Sequence, residues 1–346
     1  MEDARGLDVT GDSGEDLTRE PGAFGRTRNA VLSFVLQNTS KRQAARVETP
    51  QKARRRFAFR TRALVPPAPF WRLRLTHQEV EGPGGRIPVE WVEDGPVKPF
   101  NTILYLHGGG YVMGSPRTHR SITWRLARDA KARVCAPDYR LAPENRFPAA
   151  LEDALAVYER LLAEGVNPKT LGLAGDSAGG GLCLGLLQEI RARSLPEPAA
   201  LALFSPWTDL MLSGASIAEN AHLDPLLPAE RIGEVVESYL QGADPSDPRA
   251  SPLYGEFRGG PPVMIQVSDI EILRDDALRM VRRLREQGVA AEFILWRGLP
   301  HVFQIAAPWA PEAAEAIDRA ARFLRRHMEA GAASEKLPPL FGGSAP

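Results

Sequence analysis

An α/β fold, with a mostly parallel sheet wrapped by helices, is predicted by three features of the sequence. Strand-like and helix-like segments alternate from residue 102 onward with little interruption. Several strand segments are runs of Val, Leu and Ile, the composition of strands buried on both faces. An antiparallel pair around the turn Gly82-Pro-Gly-Gly85 precedes them. With 346 residues, the chain can build one large core or two smaller ones.

Residues 1–25 are acidic, contain glycine and hold few apolar side chains, so a mobile tail is expected there. Between Thr27 and Arg46, Val31, Phe34, Val35 and Leu36 fall near helical spacing. A basic run follows through Lys52, Arg54, Arg55, Arg56, Arg60 and Arg62. Such a run reads as a membrane-surface or nucleic-acid patch or, more plainly, as a solvated helix face offset by acidic residues 2–20.

The core then offers eight strands, at 73–81, 87–93, 102–106, 133–137, 171–174, 199–204, 263–268 and 291–296. Helices are expected at 118–131, 148–165, 178–192, 274–288 and 311–328. Residues 207–262 break the rhythm: they are rich in Pro and Gly, with one good helix near 228–241. An insertion of that kind lying across the C-terminal edge of the sheet is expected to act as a lid. From residue 329 the composition turns to Gly, Ala, Ser and Pro, and 329–346 is expected to be a loose tail.

Composition excludes several classes. Basic and acidic residues balance at 43 each, so net charge makes no case for nucleic acid or an anionic membrane. No apolar run is long enough to span a bilayer, so stable membrane insertion is not expected. The opening Met1-Glu-Asp lacks the basic start of a signal peptide. Cys135 and Cys183 sit in apolar surroundings without C-x-x-C spacing, as core cysteines do in a reducing compartment. The expectation is a cytoplasmic protein.

The chemistry centres on Leu171-Gly-Leu-Ala-Gly-Asp-Ser-Ala-Gly-Gly180. Gly175-x-Ser177-x-Gly179 suits a strand-to-helix turn so sharp that side chains on either side of the serine would collide. Ser177 would then stand at a helix N-terminus, where unpaired N–H groups favour the negative charge that grows in acyl transfer. A glycine-rich connection with an N-capping serine is the plain alternative, and partner motifs must decide.

A serine hydroxyl needs a base, and the base an orienting carboxylate. Of the six histidines, His77 lies on the first strand, His107 opens a glycine loop, His119 precedes a helix, His222 is in the insertion and His327 is in a basic helix. His301 alone follows the last strand, in Gly298-Leu-Pro-His-Val-Phe303. For a chain order of serine, acid, histidine, the end of strand 263–268 offers Asp269 and Glu271. Asp275 and Asp276 read as first-turn acids complementing a helix dipole. Between Asp269 and Glu271 these considerations do not choose.

In His107-Gly-Gly-Gly110, three glycines let backbone N–H groups approach a substrate oxygen and, with the N–H of Ala178, make an oxyanion hole. A phosphate loop is the alternative, but neither G-x-G-x-x-G nor Gly-Lys-Ser/Thr is present at these glycines. Asp138 and Arg140 are expected in a buried network bracing the loops, and Asp176 in support of the turn. Tyr111 lines a substrate pocket or simply packs.

Taken together, His107-Gly-Gly-Gly110, Asp138-Tyr-Arg-Leu-Ala-Pro-Glu144, Gly175-Asp-Ser-Ala-Gly-Gly180 and His301-Val-Phe, in that order, resemble the hormone-sensitive-lipase-like carboxylesterases of the α/β-hydrolase superfamily. The likeness runs from about residue 75 to 328. It implies an α/β-hydrolase core at 73–206 and 263–328, capped by an N-terminal segment, 26–72, and by the insertion, 207–262. It also implies Ser177 as nucleophile, His301 as base, and Gly109, Gly110 and Ala178 as oxyanion donors, with Gly108 shaping the loop. A small ester with a short or medium acyl chain would be the substrate, without metal or cofactor. The family's acid stands in a segment like Asp-Pro-Leu-x-Asp, and matching Leu273 and Asp275 to it puts Glu271 in that place, with Asp269 as the alternative. A non-catalytic ligand-binding relative, or an amide or lactone hydrolase with the same residues, is the rival reading. Fold-level analogy leaves a homodimer open.

Overall fold

The computed structural model describes residues 16–42, 49–64, 71–95 and 100–336. Among them, nine strands form one sheet: β1 (Asp16–Arg19), β2 (Leu73–Gly82), β3 (Gly85–Asp94), β4 (Asn101–Leu106), β5 (Ala132–Pro137), β6 (Leu171–Asp176), β7 (Ala200–Phe204), β8 (Val263–Ser268) and β9 (Ala291–Trp296). Their spatial order is β1-β9-β8-β7-β6-β4-β5-β3-β2. Only the β2–β3 and β3–β5 pairs are antiparallel. The nine helices of α type are α1 (Ala23–Leu36), α2 (Pro50–Leu64), α3 (Arg120–Asp129), α4 (Ala149–Ala163), α5 (Ala178–Ala192), α6 (Ser216–Glu219), α7 (Ile232–Leu240), α8 (Arg274–Glu286) and α9 (Pro311–Lys336), counted among the described residues.

The apolar runs lie where both faces of the sheet are covered. Every residue of β4, β6, β7 and β8 is buried, whereas the edge strand β2 exposes much of its length. Two cores result. One packs Leu151 and Leu155 of α4, Leu182 and Leu186 of α5 and Met280 and Leu284 of α8 against one face. The other packs Ile122 and Leu126 of α3 and Ile317 and Leu324 of α9 against the opposite face. Each such side chain contributes about 1.5–3 kcal/mol on burial.

Two expectations are corrected at the ends. Part of the expected mobile tail is ordered: Asp16–Arg19 pairs parallel to β9, making the sheet nine strands rather than eight. Four residues are too few to show a period in sequence; Leu17 nevertheless packs against the second core. At the other end, α9 continues to Lys336, so residues 329–336 are helix rather than loose chain. Residues 1–15 and 337–346 lie outside the described residues.

The N-terminal helices are tied to the body by polar contacts. Arg28 of α1 pairs with Glu312 of α9. A π-helical turn, Gln37–Lys41, extends α1, and Lys41 Nζ donates to the carbonyls of Ala221 (2.5 Å) and Asp224 (2.7 Å). Arg54 of α2 reaches the carbonyls of Val112 and Ala142, both at 2.8 Å, and the carboxylate of Glu144. From the 207–262 segment, Tyr239 of α7 stacks on Tyr111 with ring centroids 3.8 Å apart. No helix among the described residues is long and apolar enough to cross a membrane.

Candidate active site

Strand β6 delivers Ser177 to its C-terminal end, and α5 begins at the next residue. Ser177 has φ 53° and ψ −124°, a conformation an L-residue holds at a cost of about 1–3 kcal/mol. Surrounding hydrogen bonds fix it: its N–H donates to Phe204 O (2.8 Å), and its carbonyl accepts from Trp207 N (2.9 Å) and Gly181 N (3.1 Å). Glycine is required beside it. A Cβ on Gly179 would lie 2.1 Å from Leu106 O, and one on Gly175 would lie 2.5 Å from Gly179 O.

His301, in the turn after β9, places Nε2 2.9 Å from Ser177 Oγ. Its Nδ1 lies 2.6 Å from Glu271 Oε2. Glu271 is fully buried, and its other oxygen accepts from Ser205 Oγ (2.8 Å) and Ser268 N (2.7 Å). Asp269 turns elsewhere, accepting from Gly298 N (2.7 Å) and Arg297 Nη1 (3.2 Å). The two carboxylates left open by sequence thus have separate partners. Burial depresses the basicity of His301, but the Glu271 charge and hydrogen bond outweigh it and raise its pKa above the ordinary imidazole value.

The glycine loop lies beside Ser177. Gly108 is not a free donor there: its N–H goes to Asp176 Oδ1 at 3.0 Å, which removes it from the set of groups able to face a substrate oxygen. A Cβ on Gly108 would lie 2.1 Å from Asp176 Oδ2, so its part is to let the loop close on that carboxylate. The N–H groups of Gly109, Gly110 and Ala178 donate to no acceptor among the described residues. Val112 N and Met113 N close the turn onto Gly109 O. Tyr111 is buried between Tyr239 and, at 6.3 Å, Trp207. Val235 of α7 stands over Gly110, 3.0 Å from where a Cβ would be.

Beneath the serine lies a buried network of which the sequence reading expected only Asp176, in support of the turn. Asp176 accepts from Tyr105 Oη and Gly108 N and pairs with His119 Nε2 at 3.4 Å. Burial would raise the Asp176 pKa, but His119 and the hydrogen bonds hold it below the ordinary carboxylate value. Burial likewise lowers the His119 imidazole, while Asp176 lifts it to a net raised pKa. His107, stacked between Tyr139 and His119, is pushed down to about 3 by burial and by His119. Position before a helix gave His119 no distinguishing mark in the sequence.

The acid's loop has further supports that carried no sequence signal. Asn220 Nδ2 donates to the carbonyls of Asp269 (2.9 Å) and Glu271 (2.7 Å), and buried Asp224 accepts from Ile272 N (3.1 Å). Asp276 does more than face a helix dipole, because its Oδ2 accepts from Thr208 N and Asp209 N. Arg140 pairs with buried Asp153, while Asp138 is exposed and takes no part in that network. Among the described residues, no group of three or more His, Cys, Asp or Glu is placed to hold a metal ion.

A family model described as alpha/beta hydrolase fold matches residues 103–305. The chain belongs to that family. Relatives within the alpha/beta hydrolases carry acetyl-hydrolase and esterase names. An acetyl-hydrolase of Streptomyces hygroscopicus is 42% identical over 245 residues, covering 70% of this chain and 80% of the relative. An esterase of Acinetobacter venetianus is 38% identical over 224 residues, covering 64% and 73%. A crystal structure of an esterase from the bacterial hormone-sensitive lipase family superposes with a TM-score of 0.81 at 38% identity, covering 89% of this chain and 99% of that one. The chain is accordingly an ester-hydrolysing alpha/beta hydrolase of the hormone-sensitive-lipase-like group.

Proposed function

We propose that this esterase works through Ser177 as nucleophile, His301 as general base and Glu271 as the orienting acid. The observation that carries the reading is the chain of two hydrogen bonds, 2.9 Å from Ser177 Oγ to His301 Nε2 and 2.6 Å from His301 Nδ1 to Glu271 Oε2. Ser177 Oγ attacks the ester carbonyl carbon as its proton passes to His301 Nε2. The resulting oxyanion is received by the N–H groups of Gly109, Gly110 and Ala178; one such donor is worth about 3 kcal/mol in the transition state. Collapse expels the alcohol, which takes its proton from His301. Water then attacks the acyl-enzyme, gives a proton to the same nitrogen, and the acid leaves as Ser177 regains its hydrogen.

The substrate reading is an ester with a short or medium acyl chain. It is supported by the acetyl-hydrolase relative and by the approach of Val235 to Gly110 beside the glycine loop. Helices α1 and α2 and the 207–262 segment are read as the cap over that site. Two buried free thiols, Cys135 and Cys183, are consistent with a cytoplasmic setting.

Hydrolysis of p-nitrophenyl esters from acetate to palmitate, with Ser177→Ala alongside, tests the assignment. Activity peaking at short or medium chains and vanishing in the variant is expected. Ester hydrolysis that survives Ser177→Ala refutes the serine assignment, and a peak at palmitate refutes the size reading.

A further inference from the structure

The balanced charge of the whole chain conceals a strong segregation. Residues 21–64 hold eleven Lys and Arg against one acid, Glu48, although the chain as a whole balances 43 against 43. The rest of the molecule therefore carries the compensating acidic surplus. This basic segment includes both N-terminal helices, and none of its described residues is acidic.

Some of these cations face inward and are used structurally: Arg28 on Glu312, Lys41 on two carbonyls, and Arg54 on Val112, Ala142 and Glu144. Others do not. Arg42, Lys52, Arg55 and Arg62 are all exposed. They flank large apolar side chains that also point to solvent: Val31 (59% exposed), Phe34 (68%) and Val35 (48%) on α1, and Phe59 (72%) on α2. Spacing makes each set a stripe. On α1 the residues Val31, Phe34 and Val35 fall at steps of three and four, and on α2 Lys52, Arg55, Phe59 and Arg62 recur at helical intervals.

We propose that the outward faces of α1 and α2 dock the enzyme on an anionic lipid surface. Phenylalanine and valine side chains enter the boundary between headgroups and acyl chains, while arginine and lysine heads meet the negative headgroups. Duplex nucleic acid would satisfy the cations but, with its bases stacked inside, would give the exposed valines and phenylalanines nothing to bury against. The association is peripheral, since α1 has only 14 residues and the span of a bilayer needs about 20. Arg54 ties α2 to the turn that follows Gly109 and Gly110, so the docked face belongs to the helices bordering the glycine loop. The docking itself stands independently of the assignment of Ser177, His301 and Glu271.

Co-sedimentation of the full chain with vesicles tests this, using phosphatidylcholine alone and phosphatidylcholine mixed with phosphatidylglycerol. Binding to the anionic vesicles, weak binding to the neutral ones, and release at high salt are expected. Arg55→Gln and Arg62→Gln should each weaken anionic-vesicle binding about fivefold, and Phe34→Ser about tenfold. Hydrolysis of a water-soluble ester should stay unchanged in all three, which shows that the variants are folded. Equal binding to both vesicle types, no binding to either, or binding to duplex DNA in preference to anionic vesicles would overturn the proposal.

Discussion

The buried carboxylate of Glu271 holds the Nδ1 edge of His301 at 2.6 Å, while Asp269, two residues earlier, is held by Gly298 N and Arg297. A carboxylate that fixes the imidazole tautomer and steadies the imidazolium is required by serine catalysis; one facing away is not. Glu271→Gln should therefore lower kcat by about 10³–10⁴. Asp269→Asn should leave kcat within about tenfold, because it loses contacts outside the hydrogen-bonded chain. Steady-state kinetics of the two variants decide between the residues, and the reverse ranking would remove Glu271 from the mechanism.

The pH dependence has a defined direction. As the proposed base, His301 would accept the serine proton only when neutral, and Glu271 raises its pKa above the ordinary value of about 6.5. Activity should climb with pH through a midpoint above that value. In Glu271→Gln the charge is gone and burial remains, so the midpoint of residual activity should move downward. A pH–rate profile of kcat/KM for both proteins measures this.

The Asp176–His119 pair makes a prediction about stability. His119 has a raised pKa in the folded state, so its contribution is full below its unfolded value, about 6.5, and is lost as pH rises through the folded value. Asp176 has a lowered pKa, so its contribution is full above its unfolded value, about 3.9, and is lost as pH falls through the folded value. Both are fully present between about pH 4 and 6.5. Asp176→Asn should cost about 3–5 kcal/mol in that window, since it strands a buried imidazole. Urea denaturation at pH 5.5 and 8.5 should show a smaller gap between parent and variant at the higher pH.

Arg54 connects the helices bordering the site to the glycine loop. It donates to Val112 O, and Val112 N in turn closes the turn on Gly109 O. Arg54→Met should leave that carbonyl without its donor and loosen the placement of the Gly109 and Gly110 N–H groups. The expected loss is about tenfold in kcat with a smaller change in KM, because the N–H groups proposed as oxyanion donors would act mainly in the transition state. Weaker inhibition by a trifluoromethyl ketone, with partial rescue by Arg54→Lys, would separate this from simple destabilisation.

Much of this molecule was determined by local sequence. Runs such as Ile103-Leu-Tyr-Leu106 and Leu171-Gly-Leu-Ala174 are too apolar to lie anywhere but inside a covered sheet, which fixed the parallel core. Gly175 and Gly179 announced the turn at Ser177 because no side chain fits beside Leu106 O and Gly179 O. His301 stood out by following the last strand. Tertiary structure alone decided the rest, because it rested on contacts between residues distant in the chain. Ser205 and Asn220 reach Glu271 across 66 and 51 positions. Asp176 draws in His119 and the N–H of Gly108, so one of three glycines that looked alike in sequence is spent inside the protein. Strand β1 exists only because β9 offers it an edge and the second core a place for Leu17. Periodicity and backbone freedom are properties of a few consecutive residues and can be read from them, whereas a buried polar group takes its role from whichever partner the fold brings within hydrogen-bonding distance.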